Sequence, residues 1–370
     1  MNYTLALYLA RRFIVQLLLV FGATLLVVVL GDLVELSREA GSRGIEDAPL
    51  LSMAFLHAPS VLNKGLPFVF LIAALTTFLG LARSSELVVL RAAGLSAWLI
   101  LGAPVLLALL LGVASFSVYN PVSAITLKQY ERLDIKYFRG QDSLLSISRT
   151  GLWLRQANEA GNTVIHANRA SEDGAELTGV TMYVFDGEGA MVEQIIAPTA
   201  RLTLGAWQIA DADRWSITQS DDGSISRLVH EVGSSTVVAT DLTSNIILES
   251  FADPNALSFW DLSDFIKTLE LSGFSAVRHR LYMQTELSKP LLFAAMVLIG
   301  AGFSMRHVRF GGSGMMILGC VISGFALFFL SDIAEALGAS GALPVPIAAW
   351  VVPVSALLYG AGLLFNLEDG

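Results

Sequence analysis

The stretch ARSSELVVLRAAGLS, residues 82–96, places Arg83, Glu86 and Arg91 between two long runs that are nearly free of charge. A helix that crosses a bilayer needs about 20 predominantly apolar residues, and the run on each side is long enough. The stretch therefore predicts a short charged helix at a membrane surface, joined directly to one membrane span before it and to another after it.

The ends of this short helix are marked by residues with capping preferences. Ser84 or Ser85 is suited to cap its start, and Gly94 is suited to end it. Ser96 is suited to cap the span that follows. We therefore predict a helix over 83–94.

The side chains of the predicted helix permit two interpretations. Leu87 and Leu90 are expected to hold it at the membrane face, which leaves Glu86 and Arg91 free to face the aqueous side. In the first interpretation it is a plain amphipathic turn in the headgroup layer. In the second it is a coupling helix that inserts into a cytoplasmic partner.

The composition requires extensive contact with lipid. Of the 370 residues, 54% are hydrophobic and 15% are charged, and the mean hydropathy is +0.63. A water-soluble domain cannot bury so large an apolar surface. Because backbone groups in lipid must be hydrogen-bonded internally, long apolar runs are helices. Six spans are predicted, over 13–36, 61–81, 96–119, 287–305, 314–336 and 343–365.

The orientation of the spans follows from the basic residues near their ends. One side of the membrane receives Arg11, Arg12, Arg83, Arg91, Arg306, His307 and Arg309. The short loops on the opposite side are acidic or neutral. Because Lys and Arg are enriched in cytoplasmic loops, both termini and residues 82–96 are predicted to be cytoplasmic.

A segment of different composition separates the third and fourth spans. Between turn-favouring clusters such as NEAGN (158–162), it carries short alternating runs that include VTMYVFD (180–186) and ARLTLGAWQI (200–209). Many short strands separated by turns indicate a sandwich or jelly roll. From 258 to 272 the apolar spacing becomes that of a helix, which is predicted to lead into the fourth span.

The predicted architecture is a six-helix membrane protein with an inserted all-β, jelly-roll-like domain. Residues 1–125 hold the first three spans and the short helix, 126–280 the β-domain and connecting helix, and 281–370 the last three spans. The β-domain is predicted to be periplasmic because it lies on the side away from the basic loops. The sequence leaves open whether its interior is packed core or a lipid channel.

Several classes of function are excluded or disfavoured. The net charge of −9 argues against general nucleic-acid binding. The lone cysteine, Cys320, excludes an internal disulfide, and the five histidines lack metal-ligand spacing. The nucleotide loop GxxxxGK[ST] and the hydrolase patterns HExxH and GxSxG do not occur. We therefore expect no enzyme activity, no cofactor and no metal.

Basic side chains near the predicted outer ends of the spans, and Lys289 deeper in the fourth span, are candidates for contact with anionic lipid. Long basic side chains in such places also snorkel to the interface without a ligand. The stretch 128–140 equally fits a solvated helical face, and Lys289 has Glu286 three residues before it as a ready partner. The candidates are Arg38, Lys64, Arg132, Lys136 and Lys289.

Four stretches resemble the lipopolysaccharide export permeases of the LptF/LptG family. Besides residues 82–96, they are LVELSREAG (33–41), SLLSISRTGLWLRQ (143–156) and DPNALSFWDLSDFIKTLELSG (253–273). The last stretch is more similar to the LptG branch. Each motif is moderately specific, and their order and spacing along the whole chain make the resemblance strong.

The resemblance implies a half-transporter in the inner membrane of a Gram-negative bacterium. It implies an LptF-like permease as the second half and a cytoplasmic dimer of an LptB-like ATPase as the energy source. It also implies an LptC-like periplasmic protein that passes lipopolysaccharide to a bridge toward the outer membrane. The family's coupling segment carries over to Arg83, Glu86, Leu87, Leu90, Arg91 and Gly94.

The chain departs from the family at the outer end of the first span. The family often has a basic residue there that is aimed at lipid A phosphates, whereas this chain has Asp32. Arg38 and Lys64 are then the nearest candidates to replace that charge.

Two rival functions are compatible with the composition. One is a mechanotransmitting permease that moves no substrate, a class that usually carries its large domain between spans one and two. The other is a membrane-anchored protein whose β-domain binds a protein partner, which would need no charged coupling segment. Co-purification of an ATPase separates this second rival from the transporters.

Overall fold

The architecture was analysed in a computed structural model. It describes residues 3–45, 47–139, 152–158, 161–170, 176–186, 190–203, 205–219, 225–240, 254–271, 275–305 and 313–368. The chain folds into two compact units. The first holds residues 1–130, 254–262 and 277–370, and the second holds 131–253 and 263–276. The predicted loop cations Arg306, His307 and Arg309 lie outside the described residues.

All six predicted membrane spans are confirmed as long apolar helices. The helices are α1 Tyr3–Arg43, α2 Leu50–Arg83, α3 Glu86–Ala92, α4 Ala97–Ala114, α5 Asn120–Asp134, α6 Phe259–Leu271, α7 Val277–Ser304, α8 Ser313–Ala339 and α9 Val345–Glu368. The spans are α1, α2, α4 with α5, α7, α8 and α9. A π-helical turn, Ser115–Tyr119, carries α4 into α5. The helix predicted over 258–272 is confirmed as α6.

The helices extend well past the predicted apolar runs. α1 has 41 residues and α2 has 34. At 1.5 Å per residue these lengths correspond to about 60 Å and about 50 Å, longer than the hydrocarbon core of a bilayer. An apolar run therefore locates the part of a helix that faces lipid, while polar residues continue the same helix on both sides.

The first unit is packed around α7. Of the most apolar stretch of α7, 72% is buried, against 17% for α1 and for α8. Small residues permit this packing: a side chain at Gly300 would lie 2.8 Å from the carbonyl oxygen of Leu71, and one at Gly112 would overlap Pro290. α1 and α8 consequently keep large apolar faces for lipid or for another protein.

The β-region of the second unit is one antiparallel sheet of six strands within the described residues. The strands are β1 Leu152–Asn158, β2 Gly161–Ala170, β3 Glu176–Phe185, β4 Met191–Thr203, β5 Ala206–Gln219 and β6 Ile225–Ala239, in that order across the sheet. Ile165, Met182 and Ile195 lie opposite one another on neighbouring strands and are buried. They form one apolar face with Trp207 and Ile209.

The inserted β-domain is confirmed, with two differences in detail. The run over 200–209 is two strands, because the chain turns at Gly205, whose φ is +78°. The described strands follow the chain order of a meander, without the crossovers of a jelly roll. The sheet also curls: Gln156 of β1 donates to the carbonyl of Ala239 at 2.9 Å and accepts from Thr240 at 2.6 Å.

Candidate functional site

The short helix α3 ends as predicted. Gly94 has a φ of +81°, and its N–H donates to the Arg91 carbonyl at 2.9 Å. The N–H of Leu95 donates to the Leu90 carbonyl at 3.2 Å. These two bonds form a Schellman motif, which glycine accommodates without steric cost. The path from α3 to α4 is therefore a tight, hydrogen-bonded turn.

The start of α3 differs from the prediction. Ser85 precedes Glu86 with a φ of +60°, and its side chain makes no capping bond. The hydroxyl of Ser84 instead donates to Glu86 Oε1 at 2.7 Å. The predicted cap of the following span is confirmed, since Ser96 Oγ accepts from the N–H of Leu99 at 3.3 Å.

The two faces of α3 have different roles. Leu87 is buried, and Leu90 is half-buried against the same core, as predicted. Val88 and Val89 are 58% and 67% exposed. Four consecutive apolar residues cannot share one helix face, so the run LVVL itself signalled this exposed pair. The exposed pair was not predicted.

The two arginines of the coupling segment are placed differently from each other. Arg83 ends α2 and is exposed. Arg91 is half-buried, and its Nη2 is enclosed without an acceptor among the described residues. The expectation that Arg91 is free on the aqueous side is therefore wrong for part of its guanidinium group.

Glu86 is bound by other groups of its own chain, contrary to the prediction that it is free. Tyr8 OH donates to Glu86 Oε2 at 2.5 Å, and Arg12 Nη1 donates to Glu86 Oε1 at 2.7 Å. Arg12 Nη1 also lies 2.6 Å from Tyr8 OH. We refer to Tyr8, Arg12, Ser84 and Glu86 as the Glu86 cluster. Tyr8 and Arg12 share a face of α1 because they are four residues apart.

The Glu86 cluster fixes the charge of its carboxylate. The hydrogen bonds from Tyr8, Arg12 and Ser84, in that order of effect, lower the pKa of Glu86 from 4.5 to about 2. Hydrogen bonds to the charged form favour that form. Glu86 is therefore an anion throughout the physiological range. Neither Arg12 nor Tyr8 was predicted as a partner of Glu86.

Lys289 is not an open lipid-facing cation. It is buried, and its Nζ lies 2.5 Å from Glu286 Oε1 and 2.8 Å from Asn63 Oδ1. Asn63 also donates to Glu286 at 3.1 Å. The structure thus corrects the proposed lipid contact in favour of the internal ion pair. A charge inside a membrane bundle is costly unless it is paired in this way.

Lys64 follows Asn63 in sequence but, unlike Asn63, it is exposed.

The remaining predicted cations are exposed. Arg38 has Glu35 at 4.0 Å, and its side chain is 82% exposed. Arg132 lies in α5, and Lys136 lies 5.0 Å above the ring of Tyr137. The helical spacing predicted for 128–140 is confirmed up to Arg139.

Asp32 has a partner that sequence analysis missed. His57 Nδ1 of α2 lies 2.8 Å from Asp32 Oδ2 of α1. The ring of His57 stacks on Tyr130 of α5, with centroids 4.6 Å apart. Three helices therefore meet at the position where the family often has a basic residue.

Comparison with known proteins identifies the family. The family described as "Lipopolysaccharide export system permease LptF/LptG" matches residues 7–366. The lipopolysaccharide export system permease protein LptG of Escherichia coli (strain K12) is 26% identical over 336 residues, 89% of each chain. LptG of Haemophilus influenzae is 22% identical over 290 residues, 75% of each chain. The chain belongs to the LptF/LptG family of lipopolysaccharide export permeases and is close to LptG.

Proposed function

We propose that this chain is the LptG-like half of an ATP-driven transporter that extracts lipopolysaccharide from the inner membrane. Its family membership supports lipopolysaccharide export. The observation that carries ATP coupling is α3, a rigid helix between two spans. It presents exposed Val88 and Val89 beside the ionised Glu86.

The energetics require a separate source of work. Each CH₂ group moved out of an apolar environment costs about 0.8 kcal/mol. A lipid with several acyl chains therefore resists extraction by tens of kcal/mol. The sequence does not contain the nucleotide-loop pattern GxxxxGK[ST]. An LptB-like ATPase dimer that docks on α3 supplies the energy in this proposal.

The docking surface combines an apolar and an acidic part. Val88 and Val89 enter an apolar depression of the ATPase, and Glu86 pairs with one of its basic groups. Arg83 and Arg91 lie at the rim of this surface, with Arg91 Nη2 enclosed within the chain. Leu87, Leu90 and Gly94 hold the helix in place.

The other partners are assigned to surfaces that the chain leaves open. The exposed apolar faces of α1 and α8 are suited to an LptF-like permease that completes the membrane cavity. In this proposal the inserted β-domain passes lipopolysaccharide to an LptC-like periplasmic protein and its bridge. Arg38, Lys64, Arg132 and Lys136 contact lipid phosphates, since charge-assisted bonds favour such groups.

The decisive test is ATPase docking and lipid release with Glu86→Lys. The variant should insert normally but lose co-purification of the ATPase, ATP-driven lipopolysaccharide release from proteoliposomes, or both. Glu86→Ala should have a smaller effect because it adds no like charge. Wild-type docking and release with Glu86→Lys would leave α3 as a plain interfacial turn.

A second test separates lipid transport from mechanotransmission. A photo-crosslinking residue at position 64 or 136 should capture lipopolysaccharide, and Lys64→Glu should reduce export without loss of protein. Release that is unchanged when Arg38, Lys64, Arg132 and Lys136 are all Ser would remove these residues from the proposal.

A third test concerns topology. In a Cys320→Ser background, cysteine is placed at Thr199 of β4 or at Ala93, both exposed. An impermeant maleimide, added to cells with a permeabilised outer membrane, should label position 199 and not position 93. The opposite pattern would invert the proposed orientation.

A further inference from the structure

Both oxygens of the Glu86 carboxylate accept hydrogen bonds, but not all of their acceptor positions are used. Tyr8 OH binds Oε2, while Arg12 Nη1 and the Ser84 hydroxyl bind Oε1. A carboxylate offers about four acceptor positions. Three are used inside the chain, so about one is left for a donor on another protein. The cluster therefore orients the carboxylate and still permits docking.

We propose that Arg12, assisted by Tyr8, is a positioning residue for Glu86 that makes α1 move with α3. The inference rests on the proposed function, in which an ATPase displaces α3. α2 and α4 follow α3 through the peptide chain, since each is joined to it by a short turn. α1 is separated from α3 in sequence by all of α2. The Glu86 cluster supplies the missing connection.

The start of α1 is anchored where the cluster lies. Leu9 and Phe13, on either side of Arg12, are fully buried in the same core that holds Leu87. Further along, Leu18 and Val27 are 63% and 69% exposed. α1 is thus held firmly beside α3 and is much less enclosed beyond it.

The other end of α1 carries a second connection. Asp32 lies 20 residues after Arg12, about 30 Å along a continuous helix. There it binds His57 of α2 at 2.8 Å. When α3 is displaced, Arg12 moves with it and α1 shifts as one rigid helix. The shift then changes the Asp32–His57 contact at the other end of α1.

The Glu86 cluster contributes little to the stability of the fold, so stability alone does not explain why these residues are together. The side chains of Arg12 and Glu86 are 29% and 36% exposed. Ion pairs this exposed contribute little to the free energy of unfolding. Loss of Arg12 should therefore change how ATP hydrolysis is used and leave thermal stability nearly unchanged.

The experiment compares three variants in the complete complex with the ATPase and partner permease, reconstituted in proteoliposomes. Arg12→Gln should keep the ATPase bound and hydrolysing ATP, while lipopolysaccharide released per ATP falls about tenfold, within the usual range of coupling effects. Arg12→Lys should release more lipopolysaccharide per ATP than Arg12→Gln because it keeps the positive charge. Arg11→Gln is the matched control: it makes the same change at an exposed neighbour and should match the wild type.

The outcomes separate this inference from the proposed function. If Glu86→Lys loses docking while Arg12→Gln keeps the wild-type ratio, the proposed function stands and the positioning role is refuted. If Arg12→Gln loses the ATPase, Arg12 is itself a docking residue and the inference is also refuted. If Arg12→Gln fails to assemble, Tyr8→Phe, which deletes one hydroxyl, should lower the ratio with docking intact, and an unchanged ratio refutes the inference.

Discussion

Two acid–base pairs of the first unit use the same chemistry in different surroundings. In the Arg12–Glu86 pair, the side chains are 29% and 36% exposed and 2.7 Å apart. In the Lys289–Glu286 pair, they are 9% and 1% exposed and 2.5 Å apart. The first joins α1 to the start of α3, and the second lies within α7, where both residues bond to Asn63 of α2.

The difference in burial separates the roles of these pairs. An exposed pair gains little net energy because water competes for both charges, so its carboxylate remains available to a partner. A buried pair has no competing water, and its separation leaves a charge without compensation. We therefore propose a coupling role for Glu86 and a structural role for Glu286, whose Oε2 is already enclosed without a bond in the described residues.

The largest predicted effect breaks the buried pair. Lys289→Met should destabilise the chain by about 3–5 kcal/mol, because Glu286 is left as an unpaired buried carboxyl group. Thermal unfolding in detergent measures the change. The matched control is Lys289→Met with Glu286→Leu and Asn63→Leu, which removes both charges and the amide bonded to them and should be close to neutral.

The triple variant also tests the correction to the lipid contacts. If Lys289 is structural only, Lys289→Met with Glu286→Leu and Asn63→Leu should export lipopolysaccharide at nearly the wild-type rate. A stable triple variant that fails to export would return Lys289 to the lipid pathway.

The next effect concerns the surface beside the exposed pair. Val89→Asp should weaken ATPase docking by about 2 kcal/mol, since a valine that becomes buried in the complex is replaced by a charge. Thermal stability of the isolated chain should hardly change, because Val89 is 67% exposed. Val89→Ala should weaken docking by a smaller amount. If the wild type and both variants bind the ATPase equally well, the ATPase contacts another part of the chain.

A smaller effect tests the rigidity of α3. Gly94→Ala should cost about 1–2 kcal/mol because a side chain disfavours the left-handed conformation; its φ is +81°. Gly102→Ala in α4 is the control, since in the described residues no atom beyond its chain neighbours and its own helix backbone lies within 4 Å of the added carbon. That change should be neutral or slightly stabilising. Similar melting temperatures for the two variants would contradict a constrained turn.

The spans and the turns of α3 were predictable because they depend on local patterns. Apolar runs locate spans, and Gly94 and Ser96 have preferences that need no distant contact. The β-segment was predictable from alternation, although the turn at Gly205 was hidden inside an alternating run. Spacing cannot distinguish one long strand from two that continue the same alternation.

The partners of the charged residues were not predictable in the same way. Glu86 is 74 residues from Arg12 and 78 from Tyr8. Asn63 is 226 residues from Lys289. Such pairs depend on how helices pack, which one sequence does not specify. Only the i, i+3 pair of Glu286 with Lys289 was visible as an alternative, because it lies on one helix.

The smallest effect distinguishes the exposed pair by its response to pH. The pKa of Glu86 is about 2 instead of 4.5. A lowered pKa gives stabilisation that is complete above the ordinary value and is lost as the pH falls from about 4.5 toward 2. The difference in melting temperature between the wild type and Glu86→Gln should therefore stay constant from about pH 8 to about pH 5 and shrink only below that range. In the Arg12→Gln background the same difference, measured against Arg12→Gln with Glu86→Gln, should be smaller and should stop shrinking at a higher pH, because one of the three donors is gone. A difference that shrinks between pH 8 and pH 5 in the wild type would mean that the cluster does not hold Glu86 as an anion, and the comparison with the buried pair would fail.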